Sequence, residues 1–197
     1  NYILCNGAAG FLDHEQVYKN LLDREQLDAF VQEAHHEQID TAFVSLDNIK
    51  RSSSNDVTVM EEAMHSFGAV LPELDHFFAE EQEIYQALAF FDQTYDGKFS
   101  SYDKIRFVRW HENSVDVVPQ NGSKAATILH LAEQVGIPHE DIISFGDGQN
   151  DREMLRMSGI GIAMGNAVPE VQAEAKMVTD TNDQDGIWKA LKELSVI

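Results

Sequence analysis

The most informative part of this 197-residue chain is Ile142-Ile143-Ser144-Phe145-Gly146-Asp147-Gly148-Gln149-Asn150-Asp151. Its opening residues predict a short buried strand, and a carboxylate, two glycines, an amide and a second carboxylate follow it. The next residues, Arg152–Met157, have the pattern of a helix. Open α/β sheets bind hard cations and phosphates where a strand ends beside the amino end of a helix. We therefore expect the functional site at this junction.

Strand and helix patterns alternate through the rest of the C-terminal part. Ser123 is a suitable N-cap for a helix at 124–135, and Gly136 follows that helix as a stop signal. Further on, the pattern predicts strands at 142–145, 160–164 and 177–179, and helices at 151–157, 169–175 and 185–194. Strict alternation with short connections predicts a parallel, doubly wound sheet.

The N-terminal part has a mixed pattern. Helical spacing of apolar residues predicts helices at 24–36 and 58–67. Strands are expected at 42–46, 104–110 and 114–118, with the last two forming a hairpin, while the apolar run 84–91 fits a strand and a helix equally well.

We therefore predict three segments. These are a core segment at 1–14, an α+β module at 15–118 and half of an α/β core at 119–197. The short apolar run 2–5 is expected to be a strand that returns to the core sheet.

Composition limits the partners of the chain. It has 14 basic and 34 acidic residues and a formal charge of −20. Such a chain lacks the basic surface that releases counterions from nucleic acid or binds anionic membrane, so we expect neither partner. No apolar run approaches the roughly 20 residues of a membrane-spanning helix. A single cysteine, Cys5, excludes an intrachain disulfide and fits the reducing cytoplasm best.

The polar residues after the predicted strand suit a cation. Two carboxylates, Asp147 and Asp151, with the amide of Asn150 are the oxygen ligands that Mg²⁺ prefers, and the flanking glycines let backbone approach a ligand. The alternative is structural, with Asp147 forming a turn and Asp151 starting a helix. Lys124 begins the preceding predicted helix, where it could serve a bound anion, although a solvated surface lysine is the alternative.

These residues lie within a longer resemblance. Residues 146–151 and the following Ser158-Gly159-Ile160-Gly161-Ile162-Ala163-Met164-Gly165-Asn166-Ala167 resemble the fourth motif of the haloacid dehalogenase superfamily, in particular its Cof-type phosphatases with a type IIB cap. Gly122-Ser123-Lys124-Ala125 resembles the third motif. Asn6-Gly7-Ala8 resembles the tripeptide that leads from the family's core into its cap.

The resemblance implies a fold, an activity and roles for particular residues. The fold would be α/β, a Rossmann-like parallel-sheet core with an inserted α+β cap domain, and the activity would be Mg²⁺-dependent hydrolysis of small phosphomonoesters such as sugar phosphates. Asp147 would bind the metal, and Asp151 would hold the metal's waters or orient Lys124. Asn150 would contact the substrate phosphate, and Lys124 would neutralise the phosphoryl oxygens.

One departure from the family pattern leaves two interpretations. The family's nucleophile and general acid belong to an Asp-x-Asp-Gly motif upstream of the Asn-Gly-Ala tripeptide, and this chain has no such motif near its N-terminus. We favour a longer natural protein, whose upstream aspartate forms an aspartyl-phosphate, so that this chain holds a partial core and is inactive alone. The alternative is a catalytically incomplete binding or regulatory module. The sequence does not indicate an oligomeric state.

Overall fold

The computed structural model covers residues 1–197, which divide into two compact units. Unit 1 contains Asn1–Ile3, Gly10–Tyr18 and Ser123–Ile197, and unit 2 contains Leu4–Ala9 and Lys19–Gly122. The functional residues predicted from the sequence, Lys124 and those at 147–151, all belong to unit 1. The segment boundaries predicted from the sequence stay a prediction.

The chain opens with a three-stranded sheet of β1 (Tyr2–Leu4), β2 (Ala9–Leu12) and β3 (Glu15–Lys19), in that order. Asp13 and His14, with φ of 48° and 68°, form the left-handed turn between β2 and β3. The expectation that the opening strand joins the core sheet is therefore wrong, because β1 pairs with this hairpin. The hairpin was not predicted because its turn lacks the glycine that marks most two-residue hairpin turns.

Unit 2 is built on a six-stranded sheet with the order β6-β5-β4-β7-β9-β8. Its pairs are antiparallel except β5 with β6. The elements in chain order are α1 (Arg24–His36), β4 (Asp40–Val44), β5 (Ile49–Arg51), α2 (Val57–His65), β6 (Glu73–Leu74), α3 (Phe78–Glu81), β7 (Gln86–Phe90), β8 (Ile105–His111) and β9 (Ser114–Pro119). The predicted β8–β9 hairpin is confirmed.

Strand β7 explains why the run 84–91 was ambiguous. Ala87 and Ala89 pack in the cluster that contains the buried residues of α1, whereas Leu88 and Phe90 pack in the cluster that contains those of α2. Because successive residues of a strand point to opposite faces, the two helices cover opposite faces of the sheet. All five residues of β7 are buried, so its sequence shows no alternation between apolar and polar residues.

The C-terminal part of unit 1 alternates helix and strand as predicted. Its elements are α4 (Lys124–Gln134), β10 (Ile143–Gly146), α5 (Arg152–Met157), β11 (Ile160–Ala163), α6 (Pro169–Gln172), β12 (Met177–Val178) and α7 (Gly186–Glu193). Strands β10, β11 and β12 form a parallel sheet in that order, with Gly146 opposite Ala163. None of the helices in the structure combines the length and the apolar character needed to cross a membrane.

Tight packing of α5 on the sheet positions the site. Leu155 of α5, Ala163 of β11 and Val171 of α6 share one buried cluster. A Cβ atom on Gly161 would lie 1.8 Å from the Leu155 carbonyl oxygen, so only glycine lets β11 approach α5 this closely. The amino end of α5, which carries Asp151, is thereby held at the end of β10.

Candidate active site

Asp151 is the centre of the polar contacts at the end of β10. Its side chain is 11% exposed, and Oδ1 accepts a hydrogen bond from Lys124 Nζ at 2.7 Å. Oδ2 accepts from the backbone N–H groups of Asp147 and Gly148, both at 3.1 Å. One carboxylate thus holds the Lys124 ammonium and also fixes the loop that carries Asp147.

Two glycines let this loop close on its own side chains. A Cβ atom on Gly146 would lie 2.6 Å from Asp151 Cβ, and one on Gly148 would lie 2.7 Å from Asn150 Oδ1. The first contact is too short for any other residue without displacing Asp151. The two glycines that flank Asp147 therefore allow the side chains of Asp151 and Asn150 to pack against the loop, whether or not a ligand is bound.

A second link joins the amino ends of α4 and α5. Ser123 caps α4 by accepting from the Ala126 N–H at 3.2 Å, and its hydroxyl donates to Glu153 Oε2 of α5 at 2.6 Å. Lys124, the next residue, has a side chain that is 28% exposed. The structure therefore brings Lys124 and Asp151 together, although they lie 27 positions apart in sequence.

Asp147 is exposed and is held by an amide. Its Oδ2 accepts from Asn166 Nδ2 at 2.9 Å, and Asn166 Oδ1 accepts from the Asn182 backbone N–H at 3.2 Å. No lysine, arginine or histidine lies within ion-pair distance of Asp147, while Asn150 is exposed on the same turn. Sequence reasoning gave Asn166 no role, although the order of the parallel strands places the ends of β10 and β11 side by side.

The donor set suits a metal only in part. Asp147 offers an exposed carboxylate, whereas both oxygens of Asp151 already accept hydrogen bonds. These contacts match an orienting role for Asp151 toward Lys124 more closely than a role as metal ligand. The chain has no group of three or more His, Cys, Asp or Glu side chains that could hold a metal by itself. Mg²⁺ commonly takes one or two carboxylates, substrate phosphate and waters, which a single exposed Asp147 fits.

The comparisons with known proteins agree with this architecture. Residues 1–191 match the family model of the haloacid dehalogenase-like hydrolases, and the chain belongs to this family. The Bacillus subtilis protein YkrA, which carries a provisional phosphatase name, is 34% identical over 197 residues, covering 100% of this chain and 76% of YkrA.

Solved structures show the same fold. A hypothetical protein from Geobacillus kaustophilus has a TM-score of 0.87 and 38% identity, covering 98% of this chain and 75% of that protein. The subclass IIB sugar phosphatase BT4131 has a TM-score of 0.85 and 30% identity, covering 98% of this chain and 74% of that protein. The predicted family and the α/β fold with a cap are confirmed.

Proposed function

We propose that this chain supplies the metal-binding and phosphate-binding residues of a Mg²⁺-dependent phosphatase acting on small phosphomonoesters such as sugar phosphates. The observation that carries the proposal is the 2.7 Å pair between Lys124 and Asp151, whose carboxylate also fixes the loop bearing the exposed Asp147. Membership of the hydrolase family and likeness to a sugar phosphatase support the same reaction class.

Each residue has a distinct part in this proposal. Lys124 places a positive charge toward the phosphoryl oxygens. The hydrogen bond to Asp151 holds the Lys124 ammonium group in that orientation. Asn150, exposed beside Gly148, donates its amide to the phosphate. Asp147 would hold Mg²⁺, which when bound supplies further positive charge to the phosphoryl group. Phosphoryl transfer depends mainly on such preorganised charge and on positioning.

The nucleophile is the part of the reaction that these residues do not provide. By family resemblance it is an aspartate that attacks phosphorus and forms an aspartyl-phosphate, which water then hydrolyses. No Asp-x-Asp-Gly motif precedes Asn6-Gly7-Ala8, and the match at Asp183-Gln184-Asp185-Gly186 spans a 3₁₀ turn and the start of α7 instead of following a strand directly. We therefore propose that the nucleophilic aspartate lies upstream in the natural protein. The same observation favours the second candidate, a binding or regulatory module that keeps the fold without turnover.

The composition of the chain supports a proposal about its partners and its cellular compartment. A formal charge of −20 argues against nucleic acid and anionic membrane as partners, and a single cysteine fits the cytoplasm. The substrate we propose is therefore a small phosphorylated metabolite that diffuses to the site.

The test uses the protein as its gene encodes it. Phosphate release from a panel of sugar phosphates and nucleotides is measured with Mg²⁺ for the wild type, Asp147→Asn and Asp180→Asn. We expect Asp147→Asn to lose at least about 100-fold in kcat/KM, in the range found when a preorganised charge-stabilising group is removed. Asp180→Asn is the control, because that carboxylate pairs with Lys189 at an exposed position, and its activity should not change.

Two results would overturn the proposal. One is undiminished turnover in Asp147→Asn. The other is no phosphate release from any substrate, and binding of a phosphorylated metabolite that depends on Lys124 would then support the non-catalytic module.

A further inference from the structure

We propose that Asn166 is a positioning residue that holds Asp147 in the orientation required for Mg²⁺, an inference that rests on the function proposed above. Asn166 follows β11, the strand that pairs with β10. Because parallel strands end at the same edge of a sheet, the loops after β10 and β11 lie side by side. Asn166 Nδ2 there donates to Asp147 Oδ2 at 2.9 Å.

The contacts of Asn166 define which end of its amide faces Asp147. A backbone N–H can only donate, and that of Asn182 points to Asn166 Oδ1 at 3.2 Å. An ionised carboxylate can only accept, so the nitrogen end must face Asp147. The backbone at Asn182 therefore selects one orientation of the amide, and the amide in turn selects one orientation of the carboxylate.

The loop that carries Asn166 is itself held firmly. The Gly165 N–H donates to the Asp180 carbonyl at 3.1 Å, and the Met164 N–H donates to the Gly146 carbonyl at 3.0 Å. A Cβ atom on Gly165 would lie 2.9 Å from both the Thr179 oxygen and the Thr181 nitrogen. The backbone just before Asn166 is thus packed closely against the segment 179–181 and hydrogen-bonded to β10.

The chemistry of an amide suits this position. A neutral donor fixes one oxygen of Asp147 and leaves the negative charge of the carboxylate for a cation. A lysine or arginine in its place would fix the carboxylate as well but would neutralise it and compete with the metal. Partners that orient a metal ligand typically contribute about 10–100-fold in metal affinity.

The experiment measures Mn²⁺ affinity by electron paramagnetic resonance, with Mg²⁺ as competitor, on the protein as its gene encodes it. We expect Asn166→Ala to weaken binding of both ions by about 10–100-fold. Excess Mg²⁺ should restore most of its kcat, since only the ligand's orientation is lost.

A matched pair at Asn182 tests the backbone link. Asn182→Ala keeps the N–H and should bind metal as the wild type does, whereas Asn182→Pro removes the N–H and should weaken binding. Proline fits at this position because Thr181 has φ −67° and ψ 164°, the conformation favoured before proline, and Asn182 begins a short 3₁₀ helix. Melting temperatures close to wild type verify that both variants fold.

The outcomes separate this inference from the proposed function. If the wild type binds no Mn²⁺, or Asp147→Asn binds it equally well, the metal site of the proposed function is wrong. If Asp147→Asn abolishes binding while Asn166→Ala and Asn182→Pro leave it unchanged, only the role of Asn166 is overturned. Equal weakening in Asn182→Ala and Asn182→Pro would also overturn the backbone link.

Discussion

Among single residues, two lysine–aspartate ion pairs of this chain differ in how much they stabilise the fold, because they differ in exposure to water. Lys124 pairs with Asp151 at 2.7 Å, and Lys189 pairs with Asp180 at 2.5 Å. The first pair has side chains 28% and 11% exposed, and the second has side chains 49% and 48% exposed. Water screens the second pair and can replace either partner, whereas the Asp151 carboxylate also satisfies two backbone N–H groups.

This contrast gives a stability prediction. We expect Asp151→Asn to lower the free energy of unfolding by about 1.5–3 kcal/mol, the range for lost hydrogen bonds to a charged group. Asp180→Asn should cost between 0 and about 1 kcal/mol, as exposed ion pairs do. Urea unfolding at pH 7 with unchanged m-values measures both. Equal losses in the two variants would show that burial does not distinguish these pairs.

Residue by residue, the site was predictable only where its members occupy motif positions. Lys124, Asp147, Asn150 and Asp151 could be selected because they follow strands or begin helices, and the order of these elements places them at one sheet edge. The role proposed for Asn166 could not be predicted, because it depends on the direction of one side-chain amide. That direction is set by a backbone N–H 16 residues away, which no local pattern encodes.

At the scale of elements, the segment Cys5–Gly7 has the most unusual backbone of the chain. It belongs to unit 2 and lies between β1 and β2. Cys5, Asn6 and Gly7 have φ of 52°, 52° and 96°, so three consecutive residues are left-handed. For a residue with a side chain this conformation costs roughly 1–2 kcal/mol, so other contacts must hold it.

A polar network in unit 2 provides those contacts. Asn6 Nδ2 donates to Asp116 Oδ2 at 2.8 Å and to Gln86 Oε1 at 3.1 Å. Gln86 Nε2 in turn donates to Asp116 Oδ1 at 2.8 Å, and both residues are buried. The segment is thus attached to neighbouring strands, β7 and β9, of the unit 2 sheet.

Two substitutions at Asn6 separate the network from the backbone. Asn6→Gly removes the amide but accepts the left-handed conformation, whereas Asn6→Ala removes the amide and adds backbone strain. We expect Asn6→Ala to be less stable than Asn6→Gly by about 1 kcal/mol, measured by urea unfolding. Asn6→Gly in turn should be less stable than the wild type, since Gln86 and Asp116 lose a donor.

Cys5 reports on the same segment. Burial raises the pKa of its thiol, which slows alkylation while the segment stays in place. Iodoacetamide labelling of Cys5, followed by peptide mass spectrometry, should therefore be several-fold faster in both Asn6 variants. Labelling at the wild-type rate in both would show that the network does not hold the segment.

A helix or strand could be predicted where the spacing of its apolar residues matches the face that it buries. Helix α1 was predicted at its observed bounds because one apolar face packs on the sheet and the other faces solvent. Strands buried on both faces, such as β7, carry no periodic signal, and β5 and β6 are too short to show one. The turn that pairs β2 with β3 depends on left-handed residues that the sequence does not mark.

In the molecule as a whole, acidic residues outnumber basic ones, and several of the acidic side chains form ion pairs with lysine or arginine. The formal charge is −20, and protonation of all eight histidines would change it only to −12. Hydrogen bonds and nearby cations lower the pKa of a set of carboxyl groups: Asp23, Glu37, Glu73, Glu83, Asp92 and Glu174. Each of these groups makes stability depend on pH in the acid range.

Glu174 gives the sharpest form of this dependence. Hydrogen bonds from Arg156 and then Arg152 lower its pKa from 4.5 to about 2, and the carboxylate joins α5 to the residues after α6. A carboxyl group with a lowered pKa in the folded state stabilises the protein fully above its unfolded value, and this contribution falls as the pH drops from 4.5 toward 2. We therefore expect Glu174→Gln to be less stable than the wild type at pH 5–7, with a gap that narrows below pH 4.5. Glu170→Gln, which removes an exposed carboxylate of α6 outside any ion pair, should show no such change. Thermal melts from pH 7 to pH 3.5 measure the gap, and one that stays constant or widens in acid would exclude this role for the Glu174 carboxylate.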